Sequence, residues 1–335
     1  VYRKLLIPFA CLVIFAGTLR AQDIHFSQFF STPLTISPSN TGNYTGDWRV
    51  MANYRTQWKE IAKPYLTQSV GADKQFYLFS EKISAGLLII NDRSGGTFQV
   101  NKIQLSGAYH KILGKHALHG GIQPGFTLKN IGRNETFPNQ LNWGTGKFDS
   151  NLPNNETSLT YRLSYFDLNV GLGYDYKMKK VELFTSYAIF HLNYPKETFL
   201  GNRNILNPRH IFGLGATWFT TAKITLQPAV NIMGTDKASE FMGGVRAFYS
   251  LDKEFSIAKS LFAGVYVRHG FGNLTDAVFA VMGMNYKQYY GGVSYDFNIS
   301  ELKTASNYKG ALEISFIYTG LSTRLTKTAI PCDRY

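Results

Sequence analysis

Tyr289-Tyr290-Gly291-Gly292-Val293-Ser294-Tyr295-Asp296-Phe297-Asn298-Ile299-Ser300 alternates with a period of two. Tyr289, Gly291, Val293, Tyr295, Phe297 and Ile299 fall in one phase, and the polar or small residues between them fall in the other. Such a period sends the two sets to opposite faces of a strand, and here the second face is wet. The pattern recurs where Phe166, Leu168, Val170, Leu172, Tyr174 and Tyr176 are separated by Asp167, Asn169, Gly171, Gly173 and Asp175. It recurs again where Phe241, Gly243, Val245, Ala247, Tyr249 and Leu251 oppose Gly244, Arg246 and Ser250. Near the start, Trp48, Val50, Ala52, Tyr54 and Trp58 oppose Arg49, Asn53, Arg55 and Gln57. Two arginines on the polar face suit a water-filled lumen, because each is costly at the mid-depth of lipid.

The same spacing predicts strands over 48–58, 65–79, 82–92, 99–113, 115–130, 162–178, 180–194, 207–220, 222–233, 239–251, 259–269, 274–286, 288–300 and 310–321. The expected fold is all-β, a transmembrane antiparallel β-barrel of about 14 strands spanning residues 46–321. An even count returns the chain to the side on which it started. Connections should alternate between tight periplasmic turns, as at Ser80-Glu81, Gly114, Met178-Lys179, Thr221 and Lys287, and longer outer loops. The longer set includes 59–64, 93–98, 131–161, 195–206 and 301–309, with 131–161 the first candidate for a lid. The connection 252–258 is an exception on the short side.

Residues 1–21 read as a secretory signal, with Arg3 and Lys4 before the apolar stretch Leu5–Gly17 and a cleavage site after Ala21. Cys11 lies inside that signal, so Cys332 would be the single cysteine of the exported chain and no internal disulfide is expected. After the signal no run approaches the ~20 apolar residues of a membrane helix. Aromatics at 15% and 31 glycines suit membrane strands, where Tyr, Trp and Phe form interfacial girdles. Without Arg3, Lys4 and Arg20 the formal charge falls from +13 to +10. For an exported chain that balance favours anionic lipid headgroups, cell-wall polymers or acidic partner proteins, and no nucleic acid is expected.

The segment 22–45 is too short for a domain and carries Phe26, Phe29, Phe30 and Tyr44. Aromatics outside the strands want burial, so it is expected to plug the barrel mouth, pack along the inner wall or dock a periplasmic partner. The tail 322–335 places Arg324, Lys327 and Arg334 around Cys332. His110, His116 and His119 are divided by the turn at Gly114 and no carboxylate cluster completes a metal site. Asp92-Arg93 before Ser94-Gly95-Gly96 reads as a turn with a local ion pair. No nucleophile, base and orienting group share a motif, so catalytic, cofactor and metal residues are expected to be absent.

The chain also resembles the PorP/SprF proteins, outer-membrane components of the type IX secretion and gliding machinery of Bacteroidota. The resemblance runs through Gln22-Asp23-Ile24-His25-Phe26-Ser27-Gln28-Phe29, Pro33-Leu34, Ser37-Pro38, Thr41-Gly42, Trp48-Arg49-Val50 and Asn53-Tyr54-Arg55-Thr56-Gln57-Trp58. It resumes at Asn91-Asp92-Arg93-Ser94-Gly95-Gly96, Pro208-Arg209-His210, Ser294–Ser300, Glu313-Ile314-Ser315 and Ile330-Pro331-Cys332-Asp333-Arg334-Tyr335. Asp333 stands where the family often has Pro. The resemblance implies a barrel FadL-like in shape that serves secretion. Its implied partners are periplasmic ring and motor proteins and secreted C-terminal-domain cargo or a gliding adhesin. Together with a periplasmic placement it makes Asp23, His25, Phe26, Gln28 and Phe29, then Pro331, Cys332 and Tyr335, the candidates for partner contact. The competing expectation is an outer-membrane transporter for hydrophobic or small solutes, which needs an apolar pocket where the lumen-facing positions read as Arg, Asn, Gln, Ser and Gly.

Overall fold

The computed structural model describes residues 24–321 apart from 60–62, 80, 96, 133–137, 150, 154–158, 202–203, 237, 252–258, 271–273, 301–302 and 305. The signal-like stretch, Asp23, Pro331, Cys332 and Tyr335 lie outside the described residues. Fourteen antiparallel strands close into one barrel: β1 (Trp48–Gln57), β2 (Tyr65–Leu78), β3 (Glu81–Ser94), β4 (Phe98–Leu113), β5 (His116–Asn130), β8 (Arg162–Lys177), β9 (Val181–Phe190), β10 (Arg209–Phe219), β11 (Ile224–Gly234), β12 (Ser239–Ser250), β13 (Lys259–Gly270), β14 (Leu274–Tyr286), β15 (Tyr289–Asn298) and β16 (Lys309–Gly320). β6 (Leu141–Asn142) and β7 (Lys147–Phe148) form a small hairpin in the long loop between β5 and β8. Neighbours in sequence are neighbours in the wall. The seam closes by pairing β1 with β16, from Trp48 opposite Gly320 to Gln57 opposite Ala311.

The alternation read from the sequence becomes an inside and an outside. On β15, Tyr289, Val293 and Phe297 point outward while Ser294, Asp296 and Asn298 are buried inside. Leu172 keeps 67% of its surface exposed and Met282 65%, as lipid-facing side chains do in a protein viewed without its lipid. Outward aromatics gather in two rows. Trp48, Tyr109, Trp218, Tyr249, Tyr286 and Tyr289 mark the end at which β1 begins, here the near end. Tyr54, Tyr65, Phe126, Phe166, Phe212 and Phe297 mark the far end. Eight steps from Tyr289 to Phe297, at about 3.3 Å each and tilted about 40°, separate the rows by about 20 Å, close to the apolar band of an outer membrane. Among the described residues no helix is long and apolar enough to cross a membrane.

Connections at the near end are tight, as at 79–80, 114–115, 178–180, 220–223 and 287–288, whereas 251–258 is longer. At the far end 131–161 and 191–208 are long, but 95–97, 235–238 and 271–273 are no longer than the near-end turn 220–223. The expected turn at Asp92-Arg93 is corrected: both residues belong to β3, and Asp92 faces inward, accepting from Thr67 Oγ1 at 2.6 Å and Ser94 Oγ at 3.0 Å. The two ends of 131–161 are tied down, Gly132 N–H donating to Thr97 O at 3.1 Å and Thr160 N–H to Phe199 O at 2.8 Å.

Polarity of the lumen differs by sector, which corrects the expectation of a polar lining throughout. Strands β1–β5 and β8 line it mainly with polar side chains such as Arg49, Asn53, Asp73, Gln104, Gln123 and Asn169, around a small apolar patch of Met51, Leu88 and Ile90. Strands β9–β14 line it with an apolar cluster that includes Phe190, Ile211, Met242, Phe262, Tyr266 and Phe279. The reason is inside the barrel.

Candidate functional site

The segment Ile24–Asp47 lies in the lumen and runs from the far end back to the near end, where β1 starts. Prolines shape its path. Pro33 opens the single helical turn Pro33–Ile36 and Pro38 opens the 3-10 turn Pro38–Asn40, each in a first-turn position where its missing N–H costs nothing. With a third short turn at Phe29–Ser31, the segment folds compactly enough to fit inside the wall.

At the far end a buried charge cluster clamps Ser27 and Gln28. Glu313 of β16 accepts the Ser27 N–H at 2.8 Å and the Gln28 N–H at 2.9 Å. Ser27 Oγ donates to Asp296 Oδ2 at 2.8 Å and accepts from Arg55 Nη1 at 2.6 Å and Arg268 Nη1 at 2.9 Å. Arg55 bridges the two carboxylates, with Asp296 at 3.0 Å and Glu313 at 3.2 Å, while Arg268 also reaches Asp276 at 2.6 Å. Two register shifts, at Arg268/His269 against β14 and Tyr295/Phe297 against β16, fall at these residues. Bulges re-aim side chains in this way. His25 lies 3.4 Å from Glu240, and enclosure in the lumen lowers its pKa below the ordinary imidazole value against the pull of that carboxylate.

Toward the near end the segment is held by a second polar set. Arg49 grips Asp73 through Nε at 3.0 Å and Nη2 at 2.7 Å, and Asp73 accepts the Gly42 N–H at 2.7 Å. Thr41 Oγ1 donates to Ser106 Oγ at 2.9 Å and Tyr44 OH to Asp73 O at 2.8 Å; burial and the Asp73 charge raise the Tyr44 pKa. Between the clamps Phe29 and Phe30 pack on Tyr266, ring centroids 5.7 and 5.5 Å apart. The apolar sector of the wall is thus the complement of the segment's own aromatics. On the opposite wall the backbone comes very close: a Cβ on Gly121 would stand 2.4 Å from the Pro38 carbonyl, and one on Gly171 2.3 Å from Ser37 Oγ.

Below the segment, a cavity of about 640 Å³ occupies the near-end lumen. Its walls include Phe30, Lys82, Asp175, Phe184, Asn231 and Arg246. His110 and His119, facing each other across β4 and β5, also reach it, their Nδ1 atoms 2.7 Å apart. His110 Nε2 lies 2.8 Å from Thr41 O, and His119 Nε2 lies 3.2 Å from Asp175 Oδ2. Thr41 O can only accept, so His110 carries its proton on Nε2 and its Nδ1 accepts from His119. The pair therefore acts as a hydrogen-bonded tie to the segment. Among the described residues no group of three or more His, Cys, Asp or Glu is arranged to hold a metal ion.

Of the candidate contact residues, Phe26, Gln28 and Phe29 are buried within the barrel at 2%, 0% and 7% exposure, and His25 is half-buried against Glu240. A partner meeting these side chains would first have to displace the segment. The clamp residues Arg55, Arg268, Asp296 and Glu313 were not singled out as a site from the sequence. Their signal was present: both signs of charge in the wet phase, with Arg55 brought opposite Glu313 only if the barrel closes.

A girdled, closed cylinder holding its own leading segment defines an outer-membrane β-barrel protein. The chain belongs to the PorP/SprF family of type IX secretion system membrane proteins, which matches residues 18–318. No curated protein matches it. Among solved structures it is similar to the CymD monoaromatic hydrocarbon channel, with a TM-score of 0.50, 11% identity and coverage of 88% of this chain and 94% of that one. It is also similar to a Pseudomonas aeruginosa FadL homologue, with a TM-score of 0.49, 10% identity and coverage of 90% and 95%. For the Pseudomonas putida toluene transporter TodX the values are 0.47, 9%, 85% and 92%. At these identities the likeness is one of fold.

Proposed function

We propose that this protein is a non-enzymatic, internally plugged barrel of the type IX secretion and gliding apparatus. In this role it anchors or assembles secreted surface cargo and joins the outer membrane to periplasmic ring and motor proteins. The observation that carries the reading is the doubly clamped segment, fixed to β16 through Glu313 and to β2 through Asp73. A lumen held shut by buried ion pairs is suited to anchoring and poorly suited to through-flow. The near end, with its tight turns, is taken to face the periplasm.

The apolar sector of the lumen favours a second reading, a transporter for hydrophobic solutes, as the hydrocarbon channels of similar fold are named to be. Against it, that sector is covered by Phe29 and Phe30. Gene deletion separates the two. Loss of surface proteins with type IX components co-purifying from crosslinked cells supports the secretion role; a growth defect confined to one nutrient, with surface proteins intact, overturns it. Substrate turnover by the purified protein would overturn the non-enzymatic part.

A further inference from the structure

Among the described residues the near-end cavity carries three cations without an ion-pair partner, Lys82, Lys115 and Arg246, against Asp175, which lies 3.2 Å from His119 Nε2, and Glu182, which is paired with Lys177. Arg246 on β12 is set among neutral groups: it donates to Gln227 Oε1 at 2.8 Å and its guanidinium lies 3.6 Å from the Phe30 ring centroid. Its Nε is buried with no acceptor among the described residues. On the facing wall, among the described residues, no carboxylate lies within ion-pair distance of Lys82. Lys115, in the turn between β4 and β5, stands exposed at the mouth. Arg49, by contrast, is matched by Asp73, and Lys177 by Glu182 at 3.4 Å.

A second observation is independent of charge. Asn231 lines the same cavity fully buried, and among the described residues neither its Nδ2 nor its Oδ1 has a hydrogen-bond partner. A buried, unpaired carboxamide costs free energy unless something else satisfies it, and donor and acceptor side by side are what a peptide group matches. Phe184 adds an aromatic face that is 41% exposed although it points into the barrel. About 640 Å³ is room for a short stretch of chain.

We propose that the near-end cup receives an extended acidic segment of a partner polypeptide. Its carboxylates pair with Lys82, Lys115 and Arg246, its backbone meets Asn231, and its apolar side chains lie against Phe30 and Phe184. The plug remains in place and forms the floor of the cup. This rests on the reading of the protein as a secretion component whose near end faces its partners.

The test uses the full-length protein in lipid nanodiscs and a fluorescein-labelled decapeptide alternating Glu with Phe or Leu, with its Glu-to-Gln counterpart as control. Saturable binding of the acidic peptide is expected, weakening as salt rises and falling about tenfold in Arg246→Gln and in Lys82→Gln. Lys287→Gln, in a near-end turn away from the cavity, should bind as the wild type does. Retained heat-modifiable migration on gels shows that each variant is folded. The proposal is overturned if the Gln peptide binds equally well, if neither cavity variant weakens binding, or if millimolar inorganic phosphate displaces the peptide as from a simple anion site. Peptide binding lost while gene deletion still strips surface proteins overturns the cup and leaves the secretion role standing. The converse result overturns the secretion role alone.

Discussion

Replacing Glu313 by Ala strips two backbone N–H groups and Arg55 of their acceptor in one step. Removing one partner of a buried ion pair typically costs about 3–5 kcal/mol, since the remaining charge stays desolvated. Glu313→Ala is therefore expected to release the segment at the far end, read as protease cleavage within 24–32 while the barrel still migrates as folded. Gly121→Leu attacks the other side, where a side chain must occupy the space of the Pro38 carbonyl; it should expel the middle of the segment and expose the same cleavage sites. His25 supplies a pH dependence. Its folded pKa is lowered, so the folded state binds fewer protons than the unfolded one just below the ordinary imidazole value. Stability should be full above about pH 6.5 and decline as pH falls, with His25→Gln flattening that part of a melting-temperature profile.

Among the elements, the strands were legible, while for the segment the sequence left open a plug, a packing along the inner wall and a partner dock. Each strand declared itself through side-chain phase, because lipid on one face and water or plug on the other impose a period of two on every strand. The shortfalls were local: β3 runs on through Asp92 and Arg93 because pairing with β2 continues to Arg93 and pairing with β4 continues to Ser94. The clamp could not be read from spacing, since Ser27 meets Asp296 across 269 positions and the contact depends on closure. The aromatic half of the lumen was likewise hidden, because Phe29 and Phe30 had no known wall to match. A staple tests whether the segment is permanent. A Cβ on Gly173 would lie 3.1 Å from Ser39 Oγ, so Ser39→Cys with Gly173→Cys should crosslink on oxidation. Surface-protein display should survive the crosslink; its loss would mean that the segment has to move.

For the whole molecule, the plug decides whether fourteen strands make a pore. The intact protein in planar bilayers should show little steady conductance, whereas deletion of 24–44 should give large stepwise conductance from the vacated lumen. Equal currents from both would mean that ions pass around the segment. The family assignment and the fold agree at this scale, since one closed barrel absorbs nearly all of the matched region.

The β1–β16 seam has a consequence for biogenesis. No interior exists until the strand ending at Gly320 reaches the one starting at Trp48, yet what fills that interior precedes both in the chain. Because Glu313 and Asp296 sit on the last two strands of the barrel, the wall can curl around its occupant, and the final staves seize the segment as they shut. Here the guest is older than the house.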